Sequence, residues 1–525
     1  VVAWATVTFL YKGVQYSSQF RSGGAWAGYA PNLKPSWFGQ QVDLSDIQWR
    51  QFRSNLPLLM GAMLAFAGWN RWAFPKQISL DAKLKKSLAF TVLFLVFLHG
   101  SCVVYLVGLL SLFHVLVLAV AGRPWGALAL WASMLASLLL VRLTEGFQPS
   151  LVGVSHWLLR QRGSLRWDVC FNLTALRMLS YGLDVHWTRQ GGTSEAKDAA
   201  KPAAISPNRP PPPAAHPSLL ALLTYALYPP LYVAGPIMTF GDFMAQRSRA
   251  KEAPGAAATE SHRHQTIRYA LRFLADWACV ELLTHCLFFN SLAAYKVGPT
   301  FAAYGLAWGA TEVGLTGFWA LAFVWAKFAT IWRLTRLCAL LDGMSPPENM
   351  VKCFANNYDA EGFWKNWHAS FNRWLVRYLY VPLGGSRTKI FSIWLVFGFV
   401  ALWHDLEWRL LAWAWLACLA LLPEILVKGA ARSRVMAPAR ARPWWRHVCA
   451  AGAALNISAL MLANLAGFVV GLDGVSQLLG QFLAEPLFVA TAFGVFFCAA
   501  HVMFAIEEAR ECGGGKAQAG RRVVT

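Results

Sequence analysis

The sequence predicts an all-α, polytopic integral membrane protein with about ten to twelve helices that span or re-enter the bilayer. Three observations carry that fold class. Of 525 residues, 57% are hydrophobic and 14% charged, against about 25% charged in a soluble domain. The mean hydropathy is +0.41, so charge is too sparse to solvate so much apolar chain. The 26 Trp suit long interfacial perimeters, where indole rings sit at headgroup level. A net charge of +21 could point to nucleic acid, but the basic residues flank apolar runs and form no compact basic domain. They read as membrane-side loops, with no nucleic-acid partner.

In chain order, Val1–Tyr11 is apolar but would make only about 16 Å of helix, half a bilayer, so the first helix is expected to be truncated. Apolar runs of helical length follow at Leu56–Trp69, Ser87–Leu98, Cys102–Ala121, Trp125–Leu143, Leu219–Phe240, Thr266–Phe289, Pro299–Leu340, Ile390–His404, Trp408–Val427, Val448–Gly471 and Glu485–Ile506. The stretch Ser87–Ala121 is too long for one span and should break at His99-Gly100-Ser101. Pro299–Leu340 should hold two helices. Arg189–Pro217, with Gly191-Gly192 and four consecutive prolines from Pro210, has nothing to bury and reads as a disordered insert. Ala245–Arg263, with its run of small residues from Gly255, reads the same way. The ten Cys are scattered without C-x-x-C spacing, which argues against a disulfide framework or a zinc site. The sequons at Asn172 and Asn456 lie inside apolar or amphipathic segments and are not expected to carry glycans.

Basic residues orient the C-terminal third. Arg387 and Lys389, then Lys428 to Arg446, then Lys516, Arg521 and Arg522 are separated by pairs of spans, so all three groups share one side, the cytosolic one. Residues 511–525 form a basic cytosolic tail. The turn His404–Trp408 then points away from the cytosol. Lys389 to His404 covers roughly 22 Å of helix, which places His404 deep in the membrane.

No G-x-S-x-G, P-loop or H-E-x-x-H motif is present, so chemistry must come from polar groups held at membrane depth, where ionisable residues are costly. The candidates are Glu145, Asp184, Asp276, Glu281, Glu312, His368, His404 and Asp405; each carboxylate taken singly reads first as an interhelical partner or a helix-end residue. His99, His114 and His285 stand alone in apolar runs and read as packing residues, and His262 with His264 as residues of a soluble loop. Phe363–Pro382 differs from every other stretch, being too polar to span and too aromatic for a solvated loop. At 3.6 residues per turn Trp364, Trp367, Phe371, Trp374 and Tyr378 form one stripe, with Lys365, Arg373 and Arg377 elsewhere. That pattern predicts an amphipathic, interfacial or re-entrant helix with His368 beside the stripe. In Ala401-Leu402-Trp403-His404-Asp405, a lone His closes an apolar helix.

The string FWKNWHASFNRWLVRYLYVPLGG, followed by ALWHD, resembles the signature of the membrane-bound O-acyltransferase superfamily. Leu227–Pro236 and Arg177–Asp184 strengthen the likeness, toward the branch of the glycerol-uptake (Gup-type) proteins and hedgehog acyltransferases. The resemblance implies N-terminal membrane helices over 1–124 and a catalytic core over 125–510, interrupted by the inserts 189–217 and 245–263. It implies transfer of a long-chain acyl group from acyl-CoA, as co-substrate and with no cofactor or metal, to the hydroxyl of a lipid acceptor in the endoplasmic reticulum. A lyso-GPI or glycerolipid acceptor would make it a GPI-anchor remodelling enzyme. By the same resemblance His404 and His368 are catalytic, with His404 the general base. A neutral imidazole suits that task because it is basic enough yet unprotonated near pH 7. Trp364, Lys365, Asn372, Arg373, Arg377, Tyr378 and Trp403 would bind substrate. His368, Asn372 or a Trp N–H would serve the oxyanion, and Lys365, Arg373, Arg377 and Arg387 would gather CoA phosphates. Hedgehog acyltransferases are expected to carry an acidic residue where this chain has His368, which favours a lipid over a protein acceptor. A polyol or glycerol transporter is the alternative, but such proteins are expected to show internal repeats and paired broken helices, and the sequence has neither.

Overall fold

The structure, a computed structural model, describes residues 1–30, 32–72, 79–147, 163–190, 217–249, 256–296 and 309–522. The described helices are α1 (Val2–Ser18), α2 (Ile47–Trp72), α3 (Leu80–His99), α4 (Val103–Val120), α5 (Gly126–Leu143), α6 (Trp167–Arg189), α7 (Leu219–Ala226), α8 (Pro229–Tyr232), α9 (Phe240–Arg249), α10 (Ala256–Cys286), α11 (Phe289–Ala294) and α12 (Ala310–Leu341). After them come α13 (Ala360–Asn366), α14 (Ala369–Leu375), α15 (Lys389–His404), α16 (Trp408–Ala431), α17 (Ala437–Arg440), α18 (Trp445–Phe468), α19 (Gly471–Ala484) and α20 (Pro486–Arg522). A small antiparallel hairpin, β1 (Leu33–Pro35) with β2 (Gln41–Asp43), pairs Lys34 with Val42. The chain is an all-α polytopic membrane protein: among the described residues, seven helices are long and apolar enough to cross a bilayer.

Helix boundaries follow local chemistry. The Ser79 side chain caps α3 through the Ala82 N–H, and Ser218 caps α7 through the Ala221 N–H. The apolar run after Ser87 breaks where expected: Gly100 takes φ +61° in a short 3₁₀ turn between α3 and α4. Helix α6 is buried on all sides from Thr174 to His186. Around it pack α4, α5, α7, α9 and the segment that carries α14, making the largest apolar cluster of the molecule.

Several expectations need correction. Leu219–Phe240 is not one span; Pro229 and Pro230 end α7 and open the single turn of α8, because neither can donate a backbone N–H. The described part of Pro299–Leu340 is one 32-residue helix, α12; residues 297–308 lie outside the described residues. Most of Ala245–Arg263 is helical, belonging to α9 and α10, and only 250–255 falls outside the description. His262 is therefore no loop residue; its Nε2 meets the Leu340 carbonyl at 3.0 Å. The residues expected to form the other insert, 191–216, also lie outside the described residues.

Candidate acyl-transfer site

The aromatic segment does not form the single helix its periodicity predicts. Helix α13 stops at Asn366, Trp367 is extended, and His368 adopts φ +43°, ψ +47°, the left-handed region. His tolerates that region better than bulky residues do, but it still costs of order 1–3 kcal/mol unless neighbours enforce it. They do so here. Buried Asn349 accepts the Ala369 N–H on its carbonyl at 2.9 Å and the Ser370 N–H on Oδ1 at 3.2 Å. Asn372 Nδ2 donates across the break to the Trp364 carbonyl at 3.0 Å. Ser370 Oγ accepts the Ile237 N–H at 2.8 Å, tying the turn to the segment after α8. The chain then winds through α14 into a π-helical turn, Val376–Tyr380.

The break splits the expected stripe. Phe371, Trp374 and Tyr378 remain one face, with successive ring centroids 6.2 and 5.3 Å apart. Trp367 turns toward α12, against Phe328 and Trp332. Trp364 turns toward Phe397 of α15 and Trp413 of α16. His368 stacks on Trp332 at 4.5 Å with an interplanar angle of 20°. Its buried Nε2 has no hydrogen-bond partner among the described residues. Burial first, and then the neighbouring His404, push the His368 imidazole down to about 3.

His404 ends α15, and Arg142 at the end of α5 fixes it there. Arg142 Nη2 donates to the His404 carbonyl at 2.8 Å while Nη1 lies 3.4 Å from Asp405 Oδ2. The preceding Trp403 exchanges two bonds with Asn172 of α6: Nε1–H to the Asn172 carbonyl at 3.0 Å, and Asn172 Nδ2–H to the Trp403 carbonyl at 2.8 Å. The Trp403 ring lies 6.3 Å from His368, 4.5 Å from Phe371 and 4.8 Å from His404. One indole thus stands between the two imidazoles. On the far side His404 meets Trp413 edge-on at 6.1 Å and Phe468 at 6.0 Å. Gly467 allows that closeness, since a Cβ there would sit 2.7 Å from the Trp413 ring.

The remaining candidates separate by their partners. Lys365 is exposed and pairs with Glu361 at 2.8 Å, as Lys389 does at 3.0 Å. Partial burial alone would raise the Glu361 carboxyl, but the two lysines outweigh it and hold it down at about 2. Arg373 and Arg387 are exposed and form no ion pair among the described residues. Arg377 departs from its expected place among phosphate-gathering cations. It turns inward to the fully buried Asp184 at 3.2 Å, against the Trp187 ring. Tyr378 is likewise committed, its hydroxyl 2.9 Å from Asp184 Oδ1 and 2.7 Å from Ser180 Oγ. Asp184 also accepts the Gly241 N–H at 3.0 Å. Asn372 uses its amide to brace the turn rather than standing free as an oxyanion donor.

Three of the other carboxylates and three of the histidines hold structural partners. Glu281 binds Arg53 at 2.7 Å, Asp276 pairs with Arg333, and Glu312 caps α12 through the Gly309 N–H. His99 lies between the Leu165 carbonyl and the Tyr232 hydroxyl at 2.8 and 2.9 Å, His114 against the Tyr181 hydroxyl, and His285 against Ser36. Sequence reasoning missed Arg142, Asn172, Trp332, Asn349 and Trp413. All act through tertiary contact, and only Arg142, a lone cation closing an apolar helix, carried a local sign.

Comparison with known proteins agrees with this architecture. The model of the membrane-bound O-acyltransferase family matches residues 132–472. Membrane-bound O-acyltransferase GUP1 of Saccharomyces cerevisiae is 35% identical over 523 residues, covering 95% of this chain and 88% of that protein. Membrane-bound O-acyltransferase gup1 of Schizosaccharomyces pombe is 34% identical over 504 residues, covering 90% and 82%. Protein-cysteine N-palmitoyltransferase HHAT of Mus musculus is 27% identical over 299 residues, covering 54% and 56%. With the family model spanning well over half of the chain and the two yeast proteins aligned over nearly all of it, the chain belongs to the membrane-bound O-acyltransferase family.

Proposed function

We propose that the protein transfers a long-chain acyl group from acyl-CoA to a hydroxyl of a lipid acceptor, with His404 as general base. The observation that carries the reading is the pair of imidazoles on either side of Trp403, with the buried Nε2 of His368 lacking a hydrogen-bond partner among the described residues. The acceptor oxygen attacks the thioester carbonyl and its proton passes to the His404 ring. The C–S bond then breaks, and the proton returns to the departing CoA thiolate. His368, kept neutral by its surroundings, serves as a donor to the oxyanion or orients the acceptor. Arg387 and Lys389 at the start of α15, Lys365 joined to Lys389 through Glu361, and exposed Arg373 supply cations for the CoA phosphates. Trp364, Trp367 and Trp403 wall the acyl path.

The yeast relatives, matched over most of their length and named O-acyltransferases, support a hydroxyl acceptor; we take it to be a lipid of the lyso-GPI or glycerolipid kind, in the endoplasmic reticulum. The mouse relative, named for a protein cysteine, favours a second reading in which a protein takes the acyl group. Microsomes carrying the full chain are given radiolabelled palmitoyl-CoA, and the label is followed into lipid and protein. Wild type should label a lipid, and His404→Gln should label it about 10²–10⁴-fold more slowly, the usual loss for a general base. Label recovered in a protein would move the reading to the second acceptor class. Normal transfer by His404→Gln, or glycerol uptake into liposomes without acyl-CoA, would overturn the mechanism.

A further inference from the structure

Glu424 lies within the spanning helix α16, directly after Pro423, with its side chain 2% exposed. A carboxylate buried in a membrane span is costly unless its oxygens are fully used. Those of Glu424 are used at the start of α13. The Ala360 N–H donates to Oε2 at 2.7 Å and the Glu361 N–H to Oε1 at a longer 3.4 Å. Asp359 caps the next amide, that of Gly362, at 3.0 Å. The two carboxylates thus satisfy three first-turn N–H groups that would otherwise lack partners. Lys428 bridges Asp359 and Glu424, reaching Glu424 Oε1 at 2.7 Å, and Asn456 of α18 donates to Oε2 at 3.2 Å.

From this geometry we infer that Glu424 is a positioning residue for the reaction site, acting through α13. The inference rests on the reading that His368 belongs to that site. Helix α13 is a stiff rod of about 10 Å with Glu424 at one end and the left-handed His368 just past the other. It carries Trp364 and leads into Trp367. A shift at its first turn therefore moves the aromatic wall and the imidazole together, and displacements near 1 Å can cost about 10²-fold in rate. The competing account is that Glu424 merely balances the charge of Lys428 on its own helix while holding the Asn456 amide of α18.

Reach and charge can be separated in the full chain. Glu424→Gln keeps the length and one acceptor oxygen, whereas Glu424→Asp keeps the charge but falls a methylene short of the Ala360 amide. Acyl transfer from palmitoyl-CoA should rank Gln above Asp, with kcat for Asp down about 10²-fold and KM for palmitoyl-CoA little changed. Amide hydrogen exchange in detergent supplies a readout independent of activity. In the Asp variant, residues 359–368 should exchange at least about tenfold faster, while α16 and α18 keep wild-type protection. An active Asp with a dead Gln variant would overturn the inference in favour of charge. Unchanged exchange over 359–368, or faster exchange spread evenly through α16 and α18, would overturn it too. If wild type transfers no acyl group, the functional reading fails, while the exchange measurement still decides whether Glu424 holds α13.

Discussion

Replacing Arg142 tests whether the reaction depends on how α15 ends. The last carbonyls of a helix lack intrahelical donors, and the His404 carbonyl finds its donor in Arg142 at 2.8 Å. A bond from a charged donor to a partly buried carbonyl contributes about 1.5–3 kcal/mol. The 3.4 Å approach to Asp405 is worth little more, roughly 0–1 kcal/mol, because those side chains are 25% and 40% exposed. Arg142→Ala should therefore cost about 2–3 kcal/mol locally, enough to fray the last turn without unfolding α15. Trp403 stays pinned by Asn172, so the damage concentrates on His404. Single-turnover acyl transfer in nanodiscs should fall about 10²-fold, with KM for acyl-CoA nearly unchanged because Arg142 lies at the opposite end of α15 from Lys389. Arg142→Lys should lie between, since an ammonium can serve the carbonyl but cannot fork to Asp405 as well. A wild-type kcat in Arg142→Ala, or a loss that appears only in KM, would refute the reasoning.

Three further outcomes follow from the geometry. Free in the unfolded chain, His368 takes up its proton near pH 6.5, but folded it resists until about 3, so between those values the unfolded state binds more protons and stability falls as pH falls. The thermal midpoint should accordingly drop from pH 7 to pH 5 in wild type and drop less in His368→Gln, and equal slopes would contradict the burial argument. Gly467→Ala should destabilise by about 1–3 kcal/mol, because its Cβ would sit 2.7 Å from the Trp413 ring, and transfer should weaken with it; an unaffected melting curve would show that α18 can move aside. Asp184→Asn should cost about 3–5 kcal/mol in a denaturation assay by leaving Arg377 without its anion, whereas Arg373→Ala, at an exposed position with no ion pair among the described residues, should leave stability unchanged and raise KM for acyl-CoA.

Much of the fold was legible because membranes impose a simple code. Composition and apolar run length identified the spans that became α3, α4, α5, α15, α16, α18 and α20. Helix ends outside the apolar runs were harder. The stretch Glu260–Arg263 is polar, so hydropathy alone reads it as the end of the linker Ala245–Arg263, yet it belongs to α10. Pro229 and Pro230 did mark a break, but the apolar residues on both sides joined α7 and α8 into one expected span.

The turn at His368 was illegible for a different reason. No Gly or Pro marks it; its left-handed backbone is imposed by Asn349, nineteen residues earlier, and by Ile237 from another part of the chain. Local periodicity therefore extended one helix through the point where the fold bends the chain. Hydrogen bonding then separated residues that looked alike in sequence. Arg377, Tyr378, Asp184 and Asn372 are committed to the fold, as are His99, His114 and His285. Buried Nε2 of His368 and Nε1 of Trp364 have no hydrogen-bond partner among the described residues. A buried polar group without a partner costs about 1–3 kcal/mol; these two stand beside rings of the site, His368 near Trp403 and Trp364 against Trp413, and a substrate that supplied a partner there would recover that cost.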